Sequence, residues 1–177
     1  MLARRPSFSL PLLVATTVLG LGLAGCGDDD SGPAESAGDG QSSRQAAVQQ
    51  VEAACTELAG HTVWLPAHMA DEDLSSADAA AVIRRAEETF RSTLTAIDPP
   101  DELRGPIGRL AEPADASRSS SAEADAALDR TLGLYREIGA ETCAKQVEAS
   151  KLVLGGSGVE QAYEQVGATL PKRPTDW

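Results

Sequence analysis

The chain has 177 residues, a formal net charge of −12 at pH 7 and only 3% aromatic residues. Such an acidic balance argues against nucleic acid as a partner, because binding there depends on Lys and Arg releasing counterions from phosphates. It equally disfavours adsorption to an anionic membrane surface, and the length suits one domain with one core.

Residues 1–25 have the parts of an export signal. Arg4 and Arg5 make a positive start, and Phe8 to Ala24 form an apolar segment whose only breakers are Pro11, Gly20 and Gly22. That segment is about 17 residues long, at the lower edge of the roughly 20 that a spanning helix needs, so cleavage is expected rather than a retained anchor. Arg4-Arg5 also permits the twin-arginine route, although Phe8 is displaced from its usual place in that signal. Gly20-Leu21-Gly22-Leu23-Ala24-Gly25 matches G-x-G-x-x-G letter for letter. That fingerprint needs a strand before it and a helix after it to aim N–H groups at a pyrophosphate. Here it falls in a segment expected to be removed, so the match is a coincidence.

Leu23-Ala24-Gly25-Cys26 resembles the lipobox of bacterial lipoproteins. The resemblance implies a diacylglycerol on the Cys26 thiol and removal of everything before it. With abundant Ala and twelve Arg against three Lys, the composition also resembles that of small actinobacterial lipoproteins. Together they imply a protein held by lipid on the extracytoplasmic face of the cell membrane. Cleavage leaves 152 residues, and the loss of Arg4 and Arg5 takes the charge from −12 to −14. The acyl chains then do the holding, at roughly 0.8 kcal/mol per buried methylene.

Residues 26–42 read as an acidic, disordered tether. Gly27 to Ser42 are Gly, Asp, Ser, Pro, Ala, Glu and Gln, with no base. Low hydrophobicity and unopposed charge do not offset ordering entropy. Fully stretched, these 16 residues reach about 50 Å. Asp28 to Asp30 read as a solvated spacer rather than a calcium site.

Residues 43–170 read as an all-α domain, a small antiparallel bundle of three long helices plus short ones. Val48, Val51, Cys55 and Leu58 make one stripe on a first helix over 43–59. Residues 60–75 read as a long connection containing Pro66. Ala79, Val82, Ile83, Ala86, Phe90, Leu94 and Ile97 make the second stripe, capped by Ser75 and stopped by Asp98-Pro99-Pro100. A short piece from Asp101 to Glu112 aligns Leu103, Ile107 and Leu110, with an interruption at Gly105-Pro106. Ser120-x-x-Glu123 is a capping box that opens a third long helix ending at Gly139. Ser157-x-x-Glu160 opens a last one bearing Val159, Ala162, Tyr163 and Val166. Lys151 to Leu154 is the one stretch ambiguous between helix and strand. Residues 171–177 form a tail.

Three cysteines less the acylated Cys26 leave Cys55 and Cys143, hence one bridge in an oxidising exterior. Their Cα atoms must come within about 7 Å, which a plain up-down-up-down bundle of four full helices does not allow. Two topologies do. Either Asp101 to Glu112 lies across one end of an up-down-up body, or the 60–75 connection crosses over and makes the first two helices parallel. The first has the shorter connections and is preferred.

Catalysis finds little support. His61 and His68 sit on the proline-containing connection, where no neighbouring structure holds a base within reach of a partner. Gly155-Gly156-Ser157-Gly158 departs from G-x-S-x-G at Val159 and reads as a turn. The chain has no P-loop, H-E-x-x-H or Cys-x-x-Cys. It is therefore read as a non-enzyme with no cofactor. His61, His68, Met69 and Asp71, with Glu72 and Asp73, place nitrogen, sulfur and oxygen donors close together in sequence, an alternative metal- or small-ligand site over 61–73. Their spacing matches no defined ligand geometry, and two histidines flanking Pro66 are not expected to share a helical face. Trp64 with Leu65 reads as a plug tucking the connection onto the bundle. Five aromatic residues after cleavage make a sugar site poorly supplied. In the tail, Lys172, Arg173 and Trp177 either offer interface anchors or fold back on the bundle. The expected partner is an envelope or membrane protein.

Overall fold

Pro66 does not end the first helix. In the computed structural model, which describes residues 36–113 and 121–177, α1 runs unbroken over Ser36–Glu72. It is followed by α2 (Ser76–Ala96), α3 (Asp101–Ala111), α4 (Ser121–Ile138), α5 (Glu141–Leu154) and α6 (Val159–Gln165). Among the described residues there is no strand, and none of the helices is long and apolar enough to cross a membrane. The protein is an all-α bundle stapled by one disulfide. Cys26, residues 26–35 of the tether and Ser120 of the expected capping box lie outside the described residues.

Two expectations about α1 are corrected. The 60–75 connection is helical as far as Glu72, and so are residues 36–42 of the expected tether. An interior proline costs about 3 kcal/mol relative to alanine, but here packing outweighs it. Ala67, His68 and Met69 beyond it are half-buried, and the Trp64 indole N–H donates to the Pro171 carbonyl at 2.8 Å. At the other end, a nucleated helix gains one bond per added residue. Arg44 there donates to the Ile138 carbonyl at 3.2 Å and ties α1 to the end of α4.

α1 and α2 make an antiparallel hairpin. Leu58 and Phe90, equally far in sequence from Leu74 in the turn, line the same cleft. The turn needs a left-handed residue, supplied by Asp73 at φ 52°, and Leu74 N–H donates back to Met69 at 3.1 Å. Ser75 caps α2 as its sequence announced. Its hydroxyl accepts from Asp78 N–H at 3.2 Å, and its own N–H donates to the Asp78 carboxylate at 3.1 Å. The Gly105-Pro106 interruption does not materialise. Pro106 is buried inside a continuous α3, where the carbonyl it leaves without a donor belongs to the exposed Glu102.

α4 ends at Gly139, whose φ of 87° suits glycine, with Ala140 N–H donating to Tyr135 at 2.9 Å. A helix the sequence reading did not anticipate, α5, follows at once. The Glu52 carboxylate of α1 accepts from Thr142 N–H at 2.8 Å and satisfies one free donor of α5, since Ala140 offers no side-chain cap. Ser157 does not cap α6. Its N–H instead donates to Leu152 at 3.0 Å and closes α5, leaving Gly158 at the cap position.

The disulfide joins Cys55 and Cys143 with their Cα atoms 5.9 Å apart. Neither of the two topologies considered from sequence accounts for it. α1 does not stop near Cys55, so Cys143 meets it in mid-helix. Glu52 with Thr142, Cys55 with Cys143 and Thr56 with Gln146 advance together, so α5 runs parallel to α1. The main core gathers around this seam, with Val51 and Cys143 fully buried beside Leu94, Leu103, Tyr135 and Ile138. A second cluster of Ala149, Ala162 and Tyr163 packs with Val63 further along α1.

Candidate functional site

The tail lies back along α1. Gly167 turns the chain at φ 63°, and the Trp64 bond to Pro171 starts the contact. At Gly60 a Cβ would stand 3.0 Å from the Lys172 carbonyl oxygen, so the absence of a side chain lets the tail approach. Arg173 pairs with Asp71 at 2.5 Å. The Trp177 ring stacks on His68, centroids 3.9 Å apart, and meets His61 edge-on at 5.3 Å. Arg85 of α2 donates to the Trp177 carbonyl oxygen at 3.5 Å.

This arrangement corrects the reading of the histidines. Seven residues span about two helical turns, so in an unbroken helix His61 and His68 do share a face, and Trp177 covers both. Of the residues named for interaction, Arg173 and Trp177 bind the protein's own first helix, and Lys172 has an exposed side chain. Of the candidate metal donors, Asp71 is engaged by Arg173 and His68 by Trp177, while Met69 is half-buried. His61 is buried and its Nδ1 has no hydrogen-bond partner. Among the described residues no group of three or more His, Cys, Asp or Glu is placed to hold a metal.

A second feature escaped the sequence reading altogether. Between α1, α4, α5 and α6 lies a cavity of about 490 Å³, lined by Leu58, Val63, Leu128, Val147, Val153 and Tyr163 among others, with the disulfide in its wall. Its threonine and serine hydroxyls are turned to their own helices. Thr62 donates to Leu58 at 2.9 Å, Thr131 to Ala127 at 3.0 Å and Ser150 to Gln146 at 2.9 Å. Gln146 donates to Thr56 at 3.2 Å. The Tyr163 hydroxyl is buried without a partner, and burial pushes its phenol and that of Tyr135 above the ordinary value. At the rim, Leu154 is 70% exposed. The available signal was Thr131 and Ser150, small side chains on otherwise apolar faces where a larger residue would fill the space.

Ser157 follows a helix rather than a strand, so it lacks the setting of a nucleophile elbow. No protein-family model matches the chain, and no curated protein or solved structure matches it either.

Proposed function

We propose that the chain is a lipid-anchored, extracytoplasmic, non-enzymatic interaction module of a bacterial cell envelope, docking on the exposed part of another envelope or membrane protein. The observation that carries the reading is Leu23-Ala24-Gly25-Cys26 directly after an apolar segment with a basic start. The Cys55–Cys143 disulfide agrees with an oxidising compartment. Thr62, Thr131 and Ser150 at the cavity and Arg173 with Asp71 at the tail contact serve internal bonds, which suits a structural surface better than a reacting one. Metabolic labelling with a fatty-acid analogue tests the anchor: Cys26→Ser should lose the label and accumulate uncleaved precursor. Equal labelling of both proteins would refute it. Mild crosslinking and co-purification from solubilised membranes should then recover one membrane protein in fixed ratio.

The alternative, a metal- or small-ligand-binding lipoprotein using residues 61–73, gains from His61 and His68 lying on one face. Stoichiometric copper or zinc binding tighter than roughly micromolar, or about 8 kcal/mol, and lost in His61→Ala with His68→Ala, would put it first.

A further inference from the structure

We infer that the cavity between α1, α4, α5 and α6 is a binding site for one long hydrocarbon chain, a fatty-acyl or polyprenyl group. The shape argues for a chain. On α1 the lining runs from Cys55 to Pro66 and on α5 from Cys143 to Leu154, in each case about 16 Å of helix at 1.5 Å per residue. Because the two helices are parallel and joined at Cys55 and Cys143, the lining forms an elongated trough with the disulfide at one end. At the other end stand Pro66 and the exposed Leu154. A compact ring would leave much of that length empty.

The wall argues for hydrocarbon. Thr62, Thr131 and Ser150 each donate to a carbonyl of their own helix, and Gln146 donates to Thr56. A sugar, a nucleotide or an extended peptide would bring many polar groups, and with the hydroxyl donors of these side chains already engaged the wall has few partners to offer them; desolvated polar groups without partners are unfavourable. Hydrocarbon brings none. At about 490 Å³ the space falls within the range of small-molecule sites, roughly 300–1,000 Å³, which are mostly apolar with a few polar groups. Tyr163 is 2% exposed and its hydroxyl is sealed off by protein, so only its ring borders the trough, beside Val63 and Val153. The inference goes beyond the docking role and does not depend on the anchor.

The test reconstitutes the full chain into phosphatidylcholine vesicles carrying a trace of a diazirine-bearing palmitoyl lipid or, in a parallel arm, a diazirine-bearing polyprenol. After irradiation, mass spectrometry maps the label. The expected result is saturable labelling on residues 55–66 and 143–154, competed by the unlabelled compound, in one arm or both, which identifies the source. Ala59→Phe with Thr131→Phe should fill the trough and lower labelling at least about tenfold, the loss expected when buried hydrocarbon is displaced. Circular dichroism and the intact disulfide verify that this variant is folded. Should it not fold, Thr131→Phe alone, a single change in the lining, should still lower labelling severalfold. Labelling absent in both arms, spread over exposed helix faces, or unchanged in a folded filled variant or in Thr131→Phe overturns the proposal.

Discussion

The missing side chain at Gly60 sets how closely the tail approaches α1. Any Cβ there stands 3.0 Å from a backbone oxygen, with the Pro174 ring 3.6 Å away, so neither neighbour is the loose end of a flexible side chain. Gly60→Leu should therefore lift the tail while α1 gains helix propensity, glycine being about 1 kcal/mol worse than alanine in a helix. Separation of Trp64 from Pro171, and of Trp177 from the two histidines, should shift tryptophan emission to the red and open the tail to proteolysis, with helical content unchanged. Emission identical to wild type would show that the tail adjusts in place. None of this was legible beforehand, since a glycine in a helix announces only a weak point. Ser75 is the opposite case, because its partner is three residues away. Its hydrogen bonds, the side-chain one foremost, hold the Asp78 carboxyl below its ordinary value. A depressed carboxyl favours the folded cap above the ordinary value of about 3.9 and loses that contribution as pH falls through the lowered one. Ser75→Ala should return the Asp78 titration, followed by NMR, towards the ordinary value; an unmoved titration would assign the shift elsewhere.

Among the elements, α1 shows where local rules gave way to packing. Pro66 breaks an isolated helix, yet here the residues on both sides are held from outside, by the tail at Trp64 and Asp71 and by Trp177 at His68. Its ring still removes the donor that would pair with the Thr62 carbonyl. Pro66→Ala should restore that bond and raise stability by up to about 3 kcal/mol, read as a higher melting temperature. A fall instead would mean that the ring's own contact along the cavity outweighs the missing bond. α5 was missed for a different reason. Its buried face is Cys143, Ala144, Gln146 and Ala149, small or polar side chains that do not stand out as an apolar stripe. Its N-terminus is served by Glu52, far away in sequence, so no capping signal precedes it. Where the cap is local, as at α2, or glycine must turn left-handed, as after α4, the boundaries were legible.

For the whole molecule, the pairing of Cys55 with Cys143 was readable by elimination, but the helix arrangement behind it was not. The arrangement depends on the direction of α5 relative to α1, which no local pattern encodes. The bridge closes a loop of 88 residues that contains the rest of α1 and all of α2, α3 and α4. By the chain-entropy argument, closing such a loop contributes about 4–5 kcal/mol. Total stabilities of about 5–15 kcal/mol are usual for single domains, so the bridge would supply a large part of this one. The surrounding contacts offer less. The ion pairs between α4 and α5, Lys151 with Asp129 and Arg136 with Glu148, lie at the surface, where such pairs add little. Of the buried residues that α1 and α5 bring to the main core, Ala47, Ala54 and Ala144 are alanines, which bring little area to bury. Cys55→Ala with Cys143→Ala should then lose about 4–5 kcal/mol relative to the oxidised protein in denaturant unfolding. Reduction of the native bridge should reproduce the loss. A deficit below about 1 kcal/mol would show that Val51, Tyr135 and Ile138 already hold α1 and α5 in register. The disulfide would then be a lock on a seam that packs without it.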